Sequence, residues 1–179
     1  MFMELIRNRR SIRRYADRPV EPEKIDLLVE AMLRSPSSRS LNPWQFVVVT
    51  DRDMLGRLSN SKPHGASFIK NAPLGIVVCG DPEVCDVWIE DLSIASIFIH
   101  LAANSLGLGS CWIQIRERMH ADGQTAEAHI AGLLGLPPSQ KVLSMVAIGY
   151  PAESKRPHSA DSLQYGKISY ERYGGKRPI

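Results

Sequence analysis

Five guanidinium groups crowd into nine residues near the start of the chain. Residues 7–15 read RNRRSIRRY, although the formal net charge of the whole chain is only +3. Arg9, Arg10 and Arg13 could hold an anion such as a phosphate monoester, because guanidinium forks match its oxygens bidentately. Ser11 adds a neutral hydroxyl donor between them. A solvated basic arm is the alternative interpretation, since most charge runs in proteins face water.

A phosphate would have to be held by charged side chains here, because the sequence lacks the usual phosphate-binding loops. It contains no GxxxxGK[ST] segment. The GLG at 107–109 follows a predicted helix and precedes a predicted strand, the reverse of the order in a dinucleotide-binding fingerprint. A second basic pair, Lys155 and Arg156, follows the last predicted strand.

The cysteines and histidines form no metal-binding or disulfide pattern. Cys79, Cys85 and Cys111 include no CxxC pair, which favours a reducing cytoplasm over a disulfide scaffold or a zinc site. The five histidines include no HExxH segment. We interpret Cys111 as a small buried residue and His100 as a hydrogen-bonded core histidine, not as catalytic groups. No signal peptide is expected, because no apolar stretch follows the first basic residues.

A chain of 179 residues is long enough for one domain with its own hydrophobic core. The predicted helices cover 3–9, 22–34, 51–60, 87–108 and 126–134, and the predicted strands cover 44–50, 74–80, 110–115 and 141–150. Polar residues such as Glu90 and His100 interrupt the apolar stretch 87–108, so it falls short of the ~20 apolar residues that span a bilayer. We expect a helix buried on several sides, inside a domain or between two subunits.

Residues 151–179 differ from the rest of the chain, because they are basic and polar and have no helical period. Such a tail is either disordered or wrapped over another surface. Tyr165, Tyr170 and Tyr173 favour wrapping, because disordered tails rarely carry so many aromatic residues.

Taken in order, several segments resemble the nitroreductase family of FMN-dependent oxidoreductases. The matching segments are RRSIRRY, SPSSRSLNPWQFVVV, APLGIVVCGD, WIEDLSIASIFIHLAANSLGLGSCWI, LLGLPPSQKVLSMVAIGYP and YERYGG. No single segment is specific, but their order and spacing are, and they cover nearly the whole chain. The resemblance implies an α+β fold with a central, mostly antiparallel sheet flanked by helices. It also implies one domain over 1–179, an intertwined homodimer with FMN at its interface, and a C-terminal extension, 151–179, that embraces the partner subunit.

The resemblance assigns residues to the FMN phosphate. Arg9, Arg10 and Ser11 match positions that contact the phosphate and the ribityl chain. Lys155 and Arg156 match a basic position that closes over the same phosphate, and the sequence leaves open which of the two does so.

The resemblance also assigns residues to the flavin ring. Arg13 matches a basic residue near N1 and the C2 carbonyl. The loop that the other subunit contributes corresponds to Ser37, Ser38, Arg39 and Ser40. The strand end whose backbone faces the flavin near N5 corresponds to Trp112, Ile113 and Gln114.

The implied activity is hydride transfer from NAD(P)H to flavin N5, with electrons then passing to a nitroaromatic, quinone or similar acceptor by a ping-pong mechanism. FMN would carry the chemistry, which agrees with the lack of a nucleophile or an acid–base pair in the sequence. A cation such as Arg13 would stabilise the negative charge that reduction places on the ring. The implied partners are a second copy of the chain and small molecules, with no nucleic acid and no membrane.

Two alternatives remain open. Flavin-cleaving or reductive dehalogenase activity on the same fold needs a segment that covers the substrate, and only residues 59–67 offer one as a mobile lid. A non-enzymatic basic docking module is the second alternative. The lack of RGG repeats and of basic segments interleaved with aromatic residues counts against it.

Overall fold

The computed structural model describes residues 2–178, in which helices cover both faces of one sheet. The helices are α1 (Phe2–Asn8), α2 (Pro22–Leu33), α3 (Arg52–Leu58), α4 (Trp88–Ser105) and α5 (Ala126–Leu134). The strands are β1 (Trp44–Val49), β2 (Leu74–Gly80), β3 (Gly109–Gln114) and β4 (Lys141–Gly149). Met1 and Ile179, the ends of the predicted domain, lie outside the described residues.

The predicted elements are confirmed with shifted boundaries. The largest difference concerns α4, which ends at Ser105, before the predicted limit of 108. Gly107 follows with a φ of 74°, a conformation that glycine adopts without steric cost. Gly109 is the first residue of β3. Four short 3-10 turns in the described part of the chain were not predicted; they cover Ser38–Ser40, Ser67–Asn71, Ala160–Ser162 and Tyr165–Lys167.

The sheet has the strand order β1-β2-β4-β3, and every neighbouring pair is antiparallel. This confirms the expected central antiparallel sheet. All seven residues of β2 are buried, because this strand is internal and both of its faces are covered. Its continuous apolar sequence therefore has the composition of a central strand, not of an edge strand.

Each face of the sheet has its own hydrophobic core, because successive side chains of a strand point to opposite faces. On one face, Val77 and Met145 of the sheet pack with Leu55 of α3 and Ile130 of α5. The other face carries α2 and α4, and its core contains Leu28, Met32, Leu92, Ile99 and Val146. The two layers of helices hold β3 and the segment that precedes α2 in place.

One side of α4 remains exposed in the single chain. Leu92 and Ile99 are fully buried, but Ile94 and Ile97 are exposed. Nearby Phe2 and Phe98 line a shallow apolar groove between α1 and α4. The expectation of burial on several sides is therefore met toward the sheet and α2, but not on the side of α4 that carries Ile94 and Ile97. Within residues 2–178, no helix is both long enough and apolar enough to cross a membrane.

Candidate functional site

The arginine cluster lies beside the start of β3. The amide of Arg9 donates to the carbonyl of Leu5 at 2.9 Å, which ends α1. The amide of Ile12 then donates to the carbonyl of Ser110 at 3.0 Å. Gly109 permits this close approach, since a Cβ built on it would lie 2.8 Å from the Cβ of Ile12.

A cleft of about 380 Å³ opens between this segment, the end of α4 and the chain after β4. Arg9, Arg10 and Lys155 all line it, and we call it the arginine cleft. Among the residues that the structure describes, neither Arg9 nor Arg10 forms an ion pair with a carboxylate. Two arginines without a carboxylate partner among the described residues, together with a lysine, line one cleft and form a donor set that fits a phosphate monoester.

Glu153 fixes the geometry around Lys155. Its Oε1 accepts hydrogen bonds from the amides of Arg13 at 2.6 Å and Arg14 at 3.3 Å, and it lies 3.2 Å from Nζ of Lys155. These contacts, the bond from the Arg13 amide above all, lower the pKa of Glu153. Lys155 Nζ also donates to the carbonyl of Ser11 at 2.6 Å. The ammonium group is therefore held over the arginine segment.

The structure distinguishes the two members of the second basic pair. Lys155 places its ammonium group in the arginine cleft, whereas Arg156 contributes its main-chain carbonyl as the acceptor for Arg10 Nη1. The sequence could not separate them, because the direction of each side chain depends on the path of the chain after β4.

Arg13 lies apart from Arg9 and Arg10. Its guanidinium carbon is 5.7 Å from the centre of the Phe68 ring, and its side chain lines a different pocket, next to Arg14 and Arg52. The segment 11–13 therefore separates two cationic regions: the arginine cleft on one side and Arg13 on the other.

A buried polar pair lies behind the arginine cleft and was not predicted as part of a site. His100 Nδ1 is 2.7 Å from the hydroxyl oxygen of Ser110, and Ser110 itself lines the cleft. Burial and, second, the positive charge of Arg9 lower the pKa of His100 to about 4. His100 is therefore neutral at pH 7. The interpretation of His100 as a hydrogen-bonded core histidine is confirmed, as is the burial of Cys111.

The predicted loop 37–40 lies elsewhere, against the start of α4. We call residues 37–42 the serine loop. The amide of Ser38 donates to Oδ1 of Asp91 at 2.8 Å, and Asp91 is only 2% exposed. The guanidinium group of Arg39 forms an ion pair with Asp86. None of Ser37, Ser38, Arg39 and Ser40 is among the described residues that line the arginine cleft.

The backbone of the serine loop is strained. Arg39, Ser40 and Asn42 have φ values of 53°, 56° and 50°, a region that L-residues other than glycine rarely adopt. The side chains of Ser37 and Asn42 are 2.7 Å apart and share a hydrogen bond. Strain of this kind persists only where surrounding contacts impose it, and it is common at functional sites.

At the far end of β3, Trp112, Ile113 and Gln114 occupy different environments. Ile113 is buried in the core, whereas Trp112 Nε1 donates to the Gln114 side-chain oxygen at 3.1 Å. Lys62, which was predicted only as part of a lid segment, donates to the Gln114 carbonyl at 2.7 Å. Burial and then the charge of Arg118 lower the pKa of Lys62. No sequence motif marks Lys62, because the contact joins residues far apart in the chain.

The sequence of the chain is similar to those of several known proteins. The family model described as "Nitroreductase family" matches residues 6–62 and 54–150. A protein of Archaeoglobus fulgidus, provisionally named an NADH dehydrogenase/NAD(P)H nitroreductase, is 39% identical over 166 residues, which cover 89% of this chain and 90% of that protein. The FMN reductase [NAD(P)H] of Bacillus subtilis is 31% identical over 172 residues, covering 83% of this chain and 66% of the relative.

A solved structure is similar throughout its length. The FMN-dependent nitroreductase of Clostridium difficile R20291 superposes with a TM-score of 0.93 and is 44% identical, with 95% of this chain and 99% of that chain covered. The serine loop and the four-stranded sheet lie within the residues that the family model matches, as do Arg9 and Arg10 of the arginine cleft, whereas Lys155 lies beyond them.

Proposed function

The chain belongs to the nitroreductase family of oxidoreductases, and on that premise we propose that it is an FMN-dependent NAD(P)H oxidoreductase. The proposed electron acceptor is a nitroaromatic, a quinone or a similar small molecule. The observation that carries the proposal is the set of Arg9, Arg10 and Lys155 lining one cleft, because it fits the phosphate of FMN and neither arginine forms an ion pair with a carboxylate within residues 2–178.

In this proposal Arg9 and Arg10 hold the phosphate through charge-assisted hydrogen bonds. Lys155 closes over it from the other side of the cleft, with Glu153 and the Ser11 carbonyl fixing its ammonium group. Ser11 is not among the described residues that line the cleft, so the contact of its hydroxyl with the phosphate or the ribityl chain stays a prediction of the resemblance. Arg156 supports Arg10 through its carbonyl, so its side chain is not needed for the phosphate.

The remaining residues serve the flavin ring. Arg13 supplies positive charge, which favours the reduced and more negative state of the cofactor. Lys62 holds the Gln114 backbone carbonyl in position, and Trp112 Nε1 holds the Gln114 side chain. FMN supplies hydride acceptance and donation when bound, so the chain needs no nucleophile of its own. Because the chain has no separate nicotinamide-binding fold, we expect both substrates to use one site in turn, with ping-pong kinetics.

We further propose that the active protein is a homodimer in which the serine loop of one subunit completes the site of the other. The exposed apolar side chains of Ile97 on α4 and Phe2 on α1 support this proposal, since water-exposed apolar patches mark interaction surfaces. Residues 151–178, with Leu163 and Ile168 exposed, would embrace the partner. The three cysteines are free, which suits a reducing cytoplasm.

The proposal is tested by the colour and redox behaviour of the purified protein. We expect flavin absorbance bands that bleach anaerobically with NADPH or NADH and return when a nitroaromatic or a quinone is added. Parallel lines in double-reciprocal plots would support the ping-pong order. A colourless protein that binds DNA in a salt-dependent way would contradict the proposal. Flavin cleavage products in aerobic reactions would instead favour the alternative chemistry on the same fold.

A further inference from the structure

A second cationic pocket lies next to the arginine cleft. It has a volume of about 620 Å³ and is lined by Arg13, Arg14, Asp17, Arg52 and Asn71, among others. Arg13 is the residue assigned to the flavin ring, so this second pocket begins where the proposed cofactor site ends. Its function is not explained by FMN, because the phosphate of that cofactor is already matched by the arginine cleft.

The second pocket carries an excess of positive charge. Three guanidinium groups face it against one carboxylate, that of Asp17. Arg52 Nη2 pairs with Asp17 Oδ1 at 2.6 Å, and the Asp17 side chain is 93% exposed, so water weakens this pair. In the described part of the chain, no carboxylate pairs with the guanidinium group of Arg13 or Arg14. The pocket is therefore suited to an anion.

The main chain beneath these arginines is held firmly. Glu153 accepts hydrogen bonds from the amides of Arg13 and Arg14. The amide of Ala152 donates to the carbonyl of Arg14 at 2.9 Å. The pocket therefore presents its guanidinium groups from a fixed base, which lowers the entropic cost of binding a ligand.

We propose that the second pocket binds the 2′-phosphate of NADPH and makes the enzyme prefer NADPH to NADH. This inference rests on the proposed function, because it assumes that a nicotinamide nucleotide reaches the flavin beside Arg13. The two nucleotides differ only in that phosphate, which carries up to two negative charges at neutral pH. Arg14 and Arg52 supply bidentate donors and Asn71 an amide donor, a combination that recognises a phosphate monoester.

A second group of basic residues could also bind the 2′-phosphate, but its side chains are already engaged by other groups of the chain. Lys62, Arg116 and Arg118 lie near the end of β3, but Lys62 donates to the Gln114 carbonyl. Arg116 is paired with Glu117 at 2.7 Å, and Arg118 donates to the carbonyl of Glu117 at 2.9 Å. These three cations already have partners, whereas no ion pair or side-chain hydrogen bond of Arg14 occurs among residues 2–178.

The experiment compares kcat/KM for NADPH with kcat/KM for NADH at low ionic strength, using the flavin-loaded enzyme. Wild type should prefer NADPH. Arg14→Ala and Arg52→Ala should each lower the NADPH/NADH ratio by about tenfold, the order expected for one charge-assisted contact. Asp17→Asn should raise the ratio, because it removes the carboxylate that competes for Arg52. Arg34→Ala is the matched control, since Arg34 pairs with Glu30 on the outer face of α2, and it should leave the ratio unchanged.

A direct probe uses 2′,5′-ADP and 5′-AMP as inhibitors competing with NADPH. Wild type should bind 2′,5′-ADP more tightly, and Arg14→Ala should abolish the difference. An enzyme that prefers NADH, or a ratio that Arg14→Ala and Arg52→Ala leave unchanged, would overturn the inference. So would a ratio that responds to Lys62→Ala or Arg118→Ala instead. In each of these cases a yellow, NADH-reducible enzyme would leave the proposed function intact, whereas a protein without flavin would contradict both.

Discussion

The arginine cleft is assembled from segments far apart in one chain, whereas the serine loop is held by its own residues and by the adjoining start of α4. In the cleft, the Lys155 ammonium group meets the Ser11 carbonyl across 144 positions of sequence. In the loop, Ser37 bonds to Asn42, five positions away. The cleft presents its charges to a concave space within the subunit, and the loop presents Arg39 and Ser40 away from it.

This difference indicates a division of labour. The residues proposed to hold the phosphate all line a cleft within one subunit, so in this proposal a single chain would supply most of the binding energy for the charged end of FMN. The serine loop shares no lining residue with that cleft, and its strained backbone has no function there. Its contribution would therefore depend on a second copy of the chain.

Arg10→Ala should produce the largest effect. Removing one guanidinium group from the cleft should weaken FMN binding by about tenfold to a hundredfold, because a charge-assisted hydrogen bond to phosphate is lost. Flavin content after purification and the dissociation constant for added FMN measure this. Arg34→Ala, which removes an arginine far from the cleft, serves as the control. Full flavin content in Arg10→Ala would show that the phosphate lies elsewhere. The contrast between the arginine cleft and the serine loop would then have no basis.

Gly109→Ala tests whether the cleft depends on the close approach of two backbones. The new Cβ would lie 2.8 Å from atoms of Ile12, so we expect a loss of about 2 kcal/mol in unfolding free energy and weaker FMN binding. Gly132→Ala is a matched control, because nothing lies within 4 Å of its Cβ position and alanine favours helices. Urea unfolding of both variants measures the difference, and equal stability would exclude the steric argument.

His100 should make the protein less stable in acid. Its pKa is lowered to about 4 in the folded chain from about 6.5 when unfolded. The neutral form is therefore favoured by folding, and this stability is present above pH 6.5 and lost as the pH falls toward 4. Between pH 7 and pH 5 we expect a loss of about 2 kcal/mol from this group.

The variant His100→Gln isolates that contribution. Carboxylates whose pKa is lowered, such as Glu21 and Asp122, add their own acid dependence to both proteins. Urea unfolding at several pH values should therefore show a smaller loss in His100→Gln than in wild type. Identical slopes would mean that His100 can be protonated within the folded protein without cost.

Asp91→Ala should have the smallest effect on FMN binding. It tests the serine loop, whereas Arg10→Ala tests the arginine cleft. Removing the buried carboxylate leaves the Ser38 amide without its acceptor, so the loop should lose its strained conformation. We expect FMN binding to weaken by less than about tenfold, because the phosphate contacts remain. Asp91→Asn keeps one acceptor oxygen and should behave more like wild type. An effect larger than that of Arg10→Ala would reverse the division of labour.

Local properties of the sequence were enough to predict much of the fold. The helices and strands were predicted from the periodicity of apolar residues and from the prolines and glycines that end each element. Both signals act over a few residues. The continuous apolar sequence of β2 correctly indicated burial on both faces. Arg9 and Arg10 could be proposed as one anion site because they are adjacent in the chain, and the ordered set of segments indicated the family.

Tertiary structure alone decided which distant side chains meet. Whether Lys155 or Arg156 lines the cleft depends on the path of the irregular chain after β4, which no local pattern specifies. Lys62, His100 and Glu153 join the site through contacts between residues remote in sequence. Such contacts exist only after the chain has folded, because their geometry is set by packing and not by the residues themselves; the contact of Glu153 with Arg13, for example, requires the end of β4 to lie beside the segment before α2.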